Sequence, residues 1–364
     1  MGIKIIIAGG GTGGHLFPGL AVADELCQRG ASVSFVGTRR GLEARLVPQQ
    51  GYRLAFIDVA GIKGRGLRGV LGVLRWPVAV LQTLAILVRE RPDVVVGVGG
   101  YASGPVVLLA ALLRIPTAVL EQNSVPGVTN RILGRFVDLV FTAFPESGTF
   151  FPTQRVRLVG NPVRRQILQG ARVAPTRQDA VRLLVLGGSQ GARAVNDLVV
   201  GAVASLVERG LPLPRIHHQT GPADEASVRA RYEALHLPPG QVEVSAFIDD
   251  MAGAYGAADL VVGRAGATTL AELTALGLPA VLIPYPFAAD DHQTRNARYL
   301  EAQGAARVLV QSELRPKDLA DVLHGLCTDR SARERMAQAS LRLGRPGAAG
   351  DVAEALLGLV RRAA

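Results

Sequence analysis

A run of β-branched residues that ends in glycines occurs three times, and each time the chain then enters a helical stretch. The first is Ile5-Ile6-Ile7-Ala8-Gly9-Gly10-Gly11-Thr12-Gly13-Gly14-His15. The second is Val94-Val95-Val96-Gly97-Val98-Gly99-Gly100-Tyr101-Ala102-Ser103-Gly104-Pro105, and the third Leu183-Leu184-Val185-Leu186-Gly187-Gly188-Ser189-Gln190-Gly191-Ala192-Arg193. A buried parallel strand that ends this way brings bare backbone N–H groups and a helix N-terminus to one point, which favours a phosphate or another anion. One such turn says little, because tight strand-to-helix turns need glycine anyway. Three of them, two early and one near the middle, predict two nucleotide-fold halves facing each other.

Length agrees with two halves, since 364 residues exceed one comfortable core. Strand-like runs alternate with helical stretches from end to end, as in parallel β-α-β construction. The expected strands of the first half are 4–8, 32–36, 94–98, 117–120 and 139–142. Between the first two lies an amphipathic helix from about Pro18 to Arg29, stopped by Gly30. Second-half strands are expected at 182–186, 242–245, 260–262, 280–283 and 306–309, and the crossing between halves near Asn161–Pro162. The uncharged stretch from Val94 to Leu113 is long enough to span a bilayer, but its four glycines and Pro105 predict strand, turn and buried helix instead. The opening Met1-Gly2-Ile3-Lys4 enters a strand at once, so no secretory leader is expected.

A formal net charge of +10 calls for a polyanionic partner: nucleic acid, an anionic membrane or a phosphorylated substrate. No recognition helix, zinc spacing or aromatic single-strand platform supports nucleic acid. Lys63, Arg65, Arg68 and Arg75 lie in a segment without an acidic residue, which runs into Val70–Leu81, apolar nearly all round and carrying Trp76. A charge run is most often a solvated face and apolar helical spacing most often core. Together here they predict a membrane-docking surface, with each basic residue adding about 1 kcal/mol near an anionic leaflet. The two cysteines, Cys27 and Cys327, have no metal or redox spacing.

Several residues are candidates for chemistry. Gly9 to Gly14 satisfies G-x-G-x-x-G, so an NADP-binding oxidoreductase must be weighed, with Arg39 or Arg40 after the second strand available to a 2′-phosphate. A third glycine turn in another domain has no role in that scheme. His15 follows the first turn, where a side chain at the carboxyl end of a parallel sheet faces ligand. An ordinary imidazole, with a pKa of about 6.5, accepts a proton there at neutral pH. The alternative is a histidine that only satisfies local backbone. Thr269 with Glu272 fits a T-x-x-E capping box, and equally a polar cluster in which Glu272 accepts ribose hydroxyls. The run Asp290-Asp291-His292-Gln293-Thr294-Arg295-Asn296 is a solvated helix start or the edge of a cleft. No Asp-x-Asp occurs, which argues against a metal–diphosphate site, and no cofactor is expected.

In this order the motifs resemble the MurG family of bacterial peptidoglycan N-acetylglucosaminyltransferases, over essentially the whole chain. The residues are Gly10-Gly11-Thr12-Gly13-Gly14-His15 with Pro18-Gly19-Leu20-Ala21, Gly99–Pro105, Glu121-Gln122-Asn123, Gly160-Asn161-Pro162-Val163-Arg164, Gly187–Arg193, and Phe247-Ile248-Asp249-Asp250-Met251. The resemblance implies an α/β GT-B fold, two doubly wound Rossmann-like domains facing a central cleft. Residues 1–161 with about 345–364 would bind acceptor and membrane, and 162–344 the UDP-sugar. It implies inverting transfer of N-acetylglucosamine from UDP to the C4 hydroxyl of N-acetylmuramyl-(pentapeptide)-pyrophosphoryl-undecaprenol, lipid I, which makes lipid II.

The same resemblance carries roles onto individual positions. Ile248 would meet uracil through its backbone and Glu272 the ribose, while Ser189 and Gln190 meet the diphosphate with Arg164 close by. Gln293 with Ala267, Thr268, Thr269 and Leu270 would meet the sugar and its phosphate. Thr12, Gly13, Gly14 and Asn123 would close from the other domain, with His15 as base. Tyr101 and Ser103 would join Lys63, Arg65, Arg68, Arg75 and Trp76 on the acceptor and membrane side. The implied location is peripheral, on the cytoplasmic face of the inner membrane, with other cell-wall synthesis proteins as partners. Where the family often has histidine before Glu-Gln-Asn this chain has Leu120, so no auxiliary proton role carries over there. A UDP-N-acetylglucosamine 2-epimerase on the same architecture would need carboxylates and histidines around His15, which the first half does not offer. A non-catalytic membrane scaffold would not need glycine turns in both halves.

Overall fold

The protein is described by a computed structural model over residues 2–59, 76–170, 180–188 and 191–363. The chain divides into two compact units, Met1–Arg164 with Arg345–Ala364, and Arg165–Gly344. Each is a doubly wound α/β unit, as the alternating pattern predicts. The unit boundary falls at Arg164/Arg165, a few residues beyond the expected crossing at Asn161–Pro162.

The first unit holds a seven-stranded sheet in the order β3 (Arg53–Phe56), β2 (Ser32–Gly37), β1 (Lys4–Gly9), β4 (Val94–Gly99), β5 (Thr117–Glu121), β6 (Leu139–Thr142), β7 (Val156–Leu158). Every pairing is parallel. The order reverses between β1 and β4, so the first two glycine turns end adjacent strands at the topological switch point, where open α/β sheets bind ligands. Ile5, Ile6, Ile7, Val94, Val95 and Val96 are all buried, because a parallel sheet is covered on both faces. The C-terminal helix Ala348–Ala363 belongs to this unit, and its Val352, Ala353 and Leu356 enter the same core as Ile5, Ile7 and Leu26.

The second unit has six parallel strands in the order β10 (Val242–Ser245), β9 (Arg215–Gln219), β8 (Arg182–Leu186), β11 (Leu260–Gly263), β12 (Ala280–Leu282), β13 (Ala306–Val308). Its switch point lies between β8 and β11, after which the third glycine turn and the Gly263-Arg264-Ala265-Gly266 turn follow.

Two expectations are corrected locally, the start of the first helix and three strands, while the reading of Val94 to Leu113 as strand and helix holds. The first helix spans Gly13–Gln28, not Pro18 to Arg29. Thr12 is its N-cap residue, and Pro18 sits inside it, one helical turn past its start. Strands β3, β7 and β9 fall where no strand was expected. The stretch from Val94 to Leu113 forms β4 and the helix Ser103–Leu112, and among the described residues no helix is long and apolar enough to cross a membrane.

Candidate functional site

In the first unit the candidate residues collect at the carboxyl ends of β1, β4, β5 and β7. Thr12 has extended backbone (φ −124°, ψ 160°), and its carbonyl accepts the N–H groups of His15 at 3.2 Å and Leu16 at 3.1 Å. Gly13 and Gly14 form the first turn of that helix, so the imidazole is placed by backbone rather than by a long flexible stem. Thr12 Oγ1 lies 3.5 Å from His15 Nδ1, and the ring is half-buried. It lies against the second glycine turn: a Cβ on Gly99 would stand 2.6 Å from His15 Cδ2, and Gly99 has φ +97°, so only glycine fits there. Gly10 N–H donates to Gly99 O at 3.3 Å, so the two turns are tied together beneath the ring.

Asn123 follows β5, and its backbone N–H and Nδ2 donate to Glu121 Oε1 at 3.0 and 3.4 Å. Glu121 Oε2 accepts from Asn130 Nδ2 at 2.9 Å and Gly127 N–H at 3.2 Å. Burial pushes the Glu121 carboxyl above its ordinary value, and these donors oppose that. Glu121 therefore sets where Asn123 points. The Arg164 guanidinium stacks over the Phe17 ring at 4.2 Å, which fixes its heading from the helix that carries His15. Tyr101 is exposed, while Ser103 is fully buried under β4, where a Cβ on Gly97 would strike its Oγ.

In the second unit the candidates collect after β10, β11 and β12. Ile248 is buried behind exposed Phe247, and Asp250 then caps the helix Met251–Ala257 by accepting Gly253 N–H at 2.9 Å. That helix carries Tyr255, whose hydroxyl donates to Glu272 Oε2 at 2.9 Å, with both side chains buried. The helix Ala267–Leu276 has Gly266 as its N-cap residue, so Thr269 lies inside it and no capping box with Glu272 forms. Ala267 and Leu270 are buried, and Thr268 and Thr269 half-buried. Gln293 is half-buried at the start of the helix His292–Ala302 and accepts Tyr285 N–H at 3.0 Å. Arg264 braces this turn, donating to Ile283 O and Pro284 O at 3.0 Å each and lying over the Tyr285 ring.

Beneath the third turn sits a buried polar chain with no sequence signal of its own. Asn196 Nδ2 donates to Thr220 O and to Asp224 Oδ2, both at 3.0 Å, which leaves Oδ1 to accept from His218 Nε2 at 3.1 Å. His218 Nδ1 then accepts the Tyr232 hydroxyl at 3.0 Å. Burial, helped by neighbouring His217, holds the His218 pKa down to about 3.

Ser189, Gln190, Lys63, Arg65, Arg68 and Arg75 lie outside the described residues. Trp76 is half-buried and opens the helix Trp76–Glu90, which continues well past the expected Leu81. Ala79, Thr83 and Leu87 face the core, and Val78, Leu81, Leu84 and Val88 make an exposed apolar stripe. Sequence reasoning missed Tyr255, Glu43, and the His218 chain; Glu121 was visible only as part of a motif.

Comparison with known proteins gives the family. Residues 5–142 match the glycosyltransferase family 28 N-terminal domain and residues 182–352 its C-terminal domain. A protein of Anaeromyxobacter sp. (strain Fw109-5), named UDP-N-acetylglucosamine–N-acetylmuramyl-(pentapeptide) pyrophosphoryl-undecaprenol N-acetylglucosamine transferase, is 50% identical over 99% of this chain and 94% of its own length. The crystal structure of Acinetobacter baumannii MurG superposes with a TM-score of 0.80 at 33% identity, covering 98% of this chain and 99% of that one. A putative UDP-N-acetylglucosamine 2-epimerase from Listeria monocytogenes shares the fold at a TM-score of 0.66 but only 12% identity, covering 97% of this chain and 95% of its own. With its two halves matching the two domains in order and its whole length matching the transferases, the chain belongs to glycosyltransferase family 28, in the MurG group of N-acetylglucosaminyltransferases.

Proposed function

We propose that this chain transfers N-acetylglucosamine from UDP-N-acetylglucosamine to the C4 hydroxyl of the muramyl sugar of lipid I, forming lipid II, with inversion at the anomeric carbon. Identity of 50% to a transferase of that name, over 99% of this chain, supports the substrates. The observation that carries the mechanism is His15, held by backbone on one glycine turn and packed against a second at the switch point of the first sheet.

The acceptor oxygen attacks the anomeric carbon as the bond to the UDP oxygen breaks, and the hydroxyl proton passes to His15. Direct displacement turns the donor's α-linkage into a β1–4 bond. The departing diphosphate gains charge, which fixed backbone donors of the third glycine turn, with Ser189, Gln190 and Arg164, would stabilise without reorganising. Glu272 would hold the ribose, Ile248 the uracil, and Gln293 with Ala267, Thr268, Thr269 and Leu270 the sugar and its phosphate. Thr12, Gly13, Gly14 and Asn123 would complete the sugar's surroundings from the first unit. Residues 162–344 would thus serve the donor, and 1–161 with 345–364 the acceptor.

The acceptor is anchored in a bilayer, so the enzyme would work peripherally at the cytoplasmic face of the inner membrane. The stripe of Val78, Leu81, Leu84 and Val88 supports docking there, and the neighbouring Lys63, Arg65, Arg68 and Arg75 would supply attraction to anionic lipid. Exposed Tyr101 would lie on the acceptor side, whereas Ser103, buried under β4, would not reach the acceptor. His15→Ala should lower kcat by about 10² to 10⁴ while UDP affinity stays near wild type. An unchanged kcat removes the base assignment.

A further inference from the structure

The first glycine turn is built around a carboxylate that the chemistry above does not use. Glu43 begins the short helix after β2 and is 1% exposed. Its Oε2 accepts the Gly11 N–H at 2.7 Å, and its Oε1 accepts both the N–H and the hydroxyl of Thr38 at 2.9 Å. A Cβ on Gly10 or Gly41 would collide with that carboxylate, and one on Gly37 would stand 2.5 Å from Glu43 Cγ. Glycines from three segments therefore wrap one side chain. From Gly11 the chain passes directly to Thr12, whose carbonyl receives the His15 N–H and whose hydroxyl faces the ring.

A glycine turn with bare N–H groups gathers an anion. We infer that Glu43 is the internal anion of the first glycine turn and a positioning residue for His15: through Gly11 and Thr12 it holds the turn that aims the imidazole. The inference rests on the reading of His15 as the base. It also bears on the G-x-G-x-x-G pattern, because the Gly11 N–H that a dinucleotide phosphate would seek already serves the chain's own carboxylate.

Glu43→Gln breaks this brace at one of its ends. Its one carbonyl oxygen cannot accept from both backbone N–H groups, so the amide NH₂ faces either that of Gly11 or that of Thr38, donor against donor, while the Thr38 hydroxyl donates or accepts to match. Either way the turn is no longer held against β2 by two acceptor oxygens. Because misplacing a reacting group by about 1 Å costs up to about 10²-fold, kcat should fall by about 10-fold with the KM for UDP-N-acetylglucosamine unchanged. Thr38→Val removes one bond from the Thr38 end and should leave kcat near wild type. The decisive readout is the double variant. Glu43→Gln with His15→Ala should be no slower than His15→Ala alone, since a residue acting through another adds nothing once that one is gone. If Glu43→Gln fails to fold, Glu43→Asp replaces it: a carboxylate one methylene shorter cannot span Gly11 and Thr38 together, and the same loss in kcat is expected. Wild-type kcat in the folded Glu43 variant, or losses that multiply in the double variant, would overturn the positioning role. If His15→Ala alone keeps kcat, the base assignment fails and the positioning role falls with it. If only Glu43→Gln keeps kcat, the base stands and the positioning role alone is lost.

Discussion

A carboxylate that receives ribose hydroxyls works best when its rotamer is set before the ligand arrives, and in the proposed role of Glu272 the Tyr255 hydroxyl, donating to it from a neighbouring helix, would do this. Glu272→Ala should raise the donor KM by about 10- to 100-fold, the range for losing charge-assisted hydrogen bonds. Tyr255→Phe should raise it less, by about 3- to 10-fold, because it removes one neutral donor. Competition by UDP and 2′-deoxy-UDP reads the ribose contact itself: wild type should prefer UDP, and Glu272→Ala should hardly distinguish the two. A donor KM that stays at the wild-type value in Glu272→Ala would withdraw the ribose role. At this scale the sequence reveals Glu272 but leaves its partner open. The T-x-x-E spacing fits a helix cap equally well, and only the backbone places the N-cap at Gly266. Tyr255 lies 17 positions away on a different helix, so no local pattern links it to Glu272.

Among the elements, strands with continuous apolar runs were legible and polar or edge strands were not. Strand β9 reads Arg215-Ile216-His217-His218-Gln219, which hardly resembles a buried parallel strand. Its Ile216, His218 and Gln219 are buried, the two polar ones because each has a partner, His218 above all. Its pKa, held at about 3, makes a pH dependence measurable. The folded value lies below the unfolded one, so the contribution is complete above about pH 6.5 and is lost as pH falls toward 3. Denaturant unfolding between pH 7 and pH 5 should lose up to about 1.4 kcal/mol per pH unit in wild type beyond what His218→Gln loses. Equal slopes would show that His218 charges freely in the folded protein. Edge strand β7 is exposed at Arg157 and Leu158 and has no apolar alternation to reveal it. The helix Trp76–Glu90 poses the opposite case, since its apolar residues were legible but the division between core and surface was not. Purified protein should bind vesicles containing phosphatidylglycerol and leave neutral vesicles largely unbound. Salt should weaken that binding, as charges act within a Debye length of about 10 Å at 0.1 M. Replacing Lys63, Arg65, Arg68 and Arg75 with glutamine should remove the salt-sensitive part, and Leu81→Ser with Val88→Ser the rest. Wild-type sedimentation by both variants would place the docking face elsewhere.

For the whole molecule, the two-unit plan was written in the alternation of strands and helices and in the three glycine turns. The core holds each unit together. Fully buried Leu356 or Ile7 contributes about 1.5–3 kcal/mol, against at most about 1 kcal/mol for a partly exposed pair such as Arg29–Glu25. Both units place their candidate residues at the carboxyl edges of their sheets, because parallel strands deliver every glycine turn and helix N-terminus to that edge. The fold alone does not separate a transferase from a 2-epimerase, which shares it at low identity. The products do. Purified protein given UDP-N-acetylglucosamine labelled in the sugar, with a lipid I analogue, should move the label onto the acceptor as a β-linked disaccharide and release UDP. Label that stays on the nucleotide, or appears as UDP-N-acetylmannosamine while the acceptor remains unlabelled, would contradict the transferase assignment.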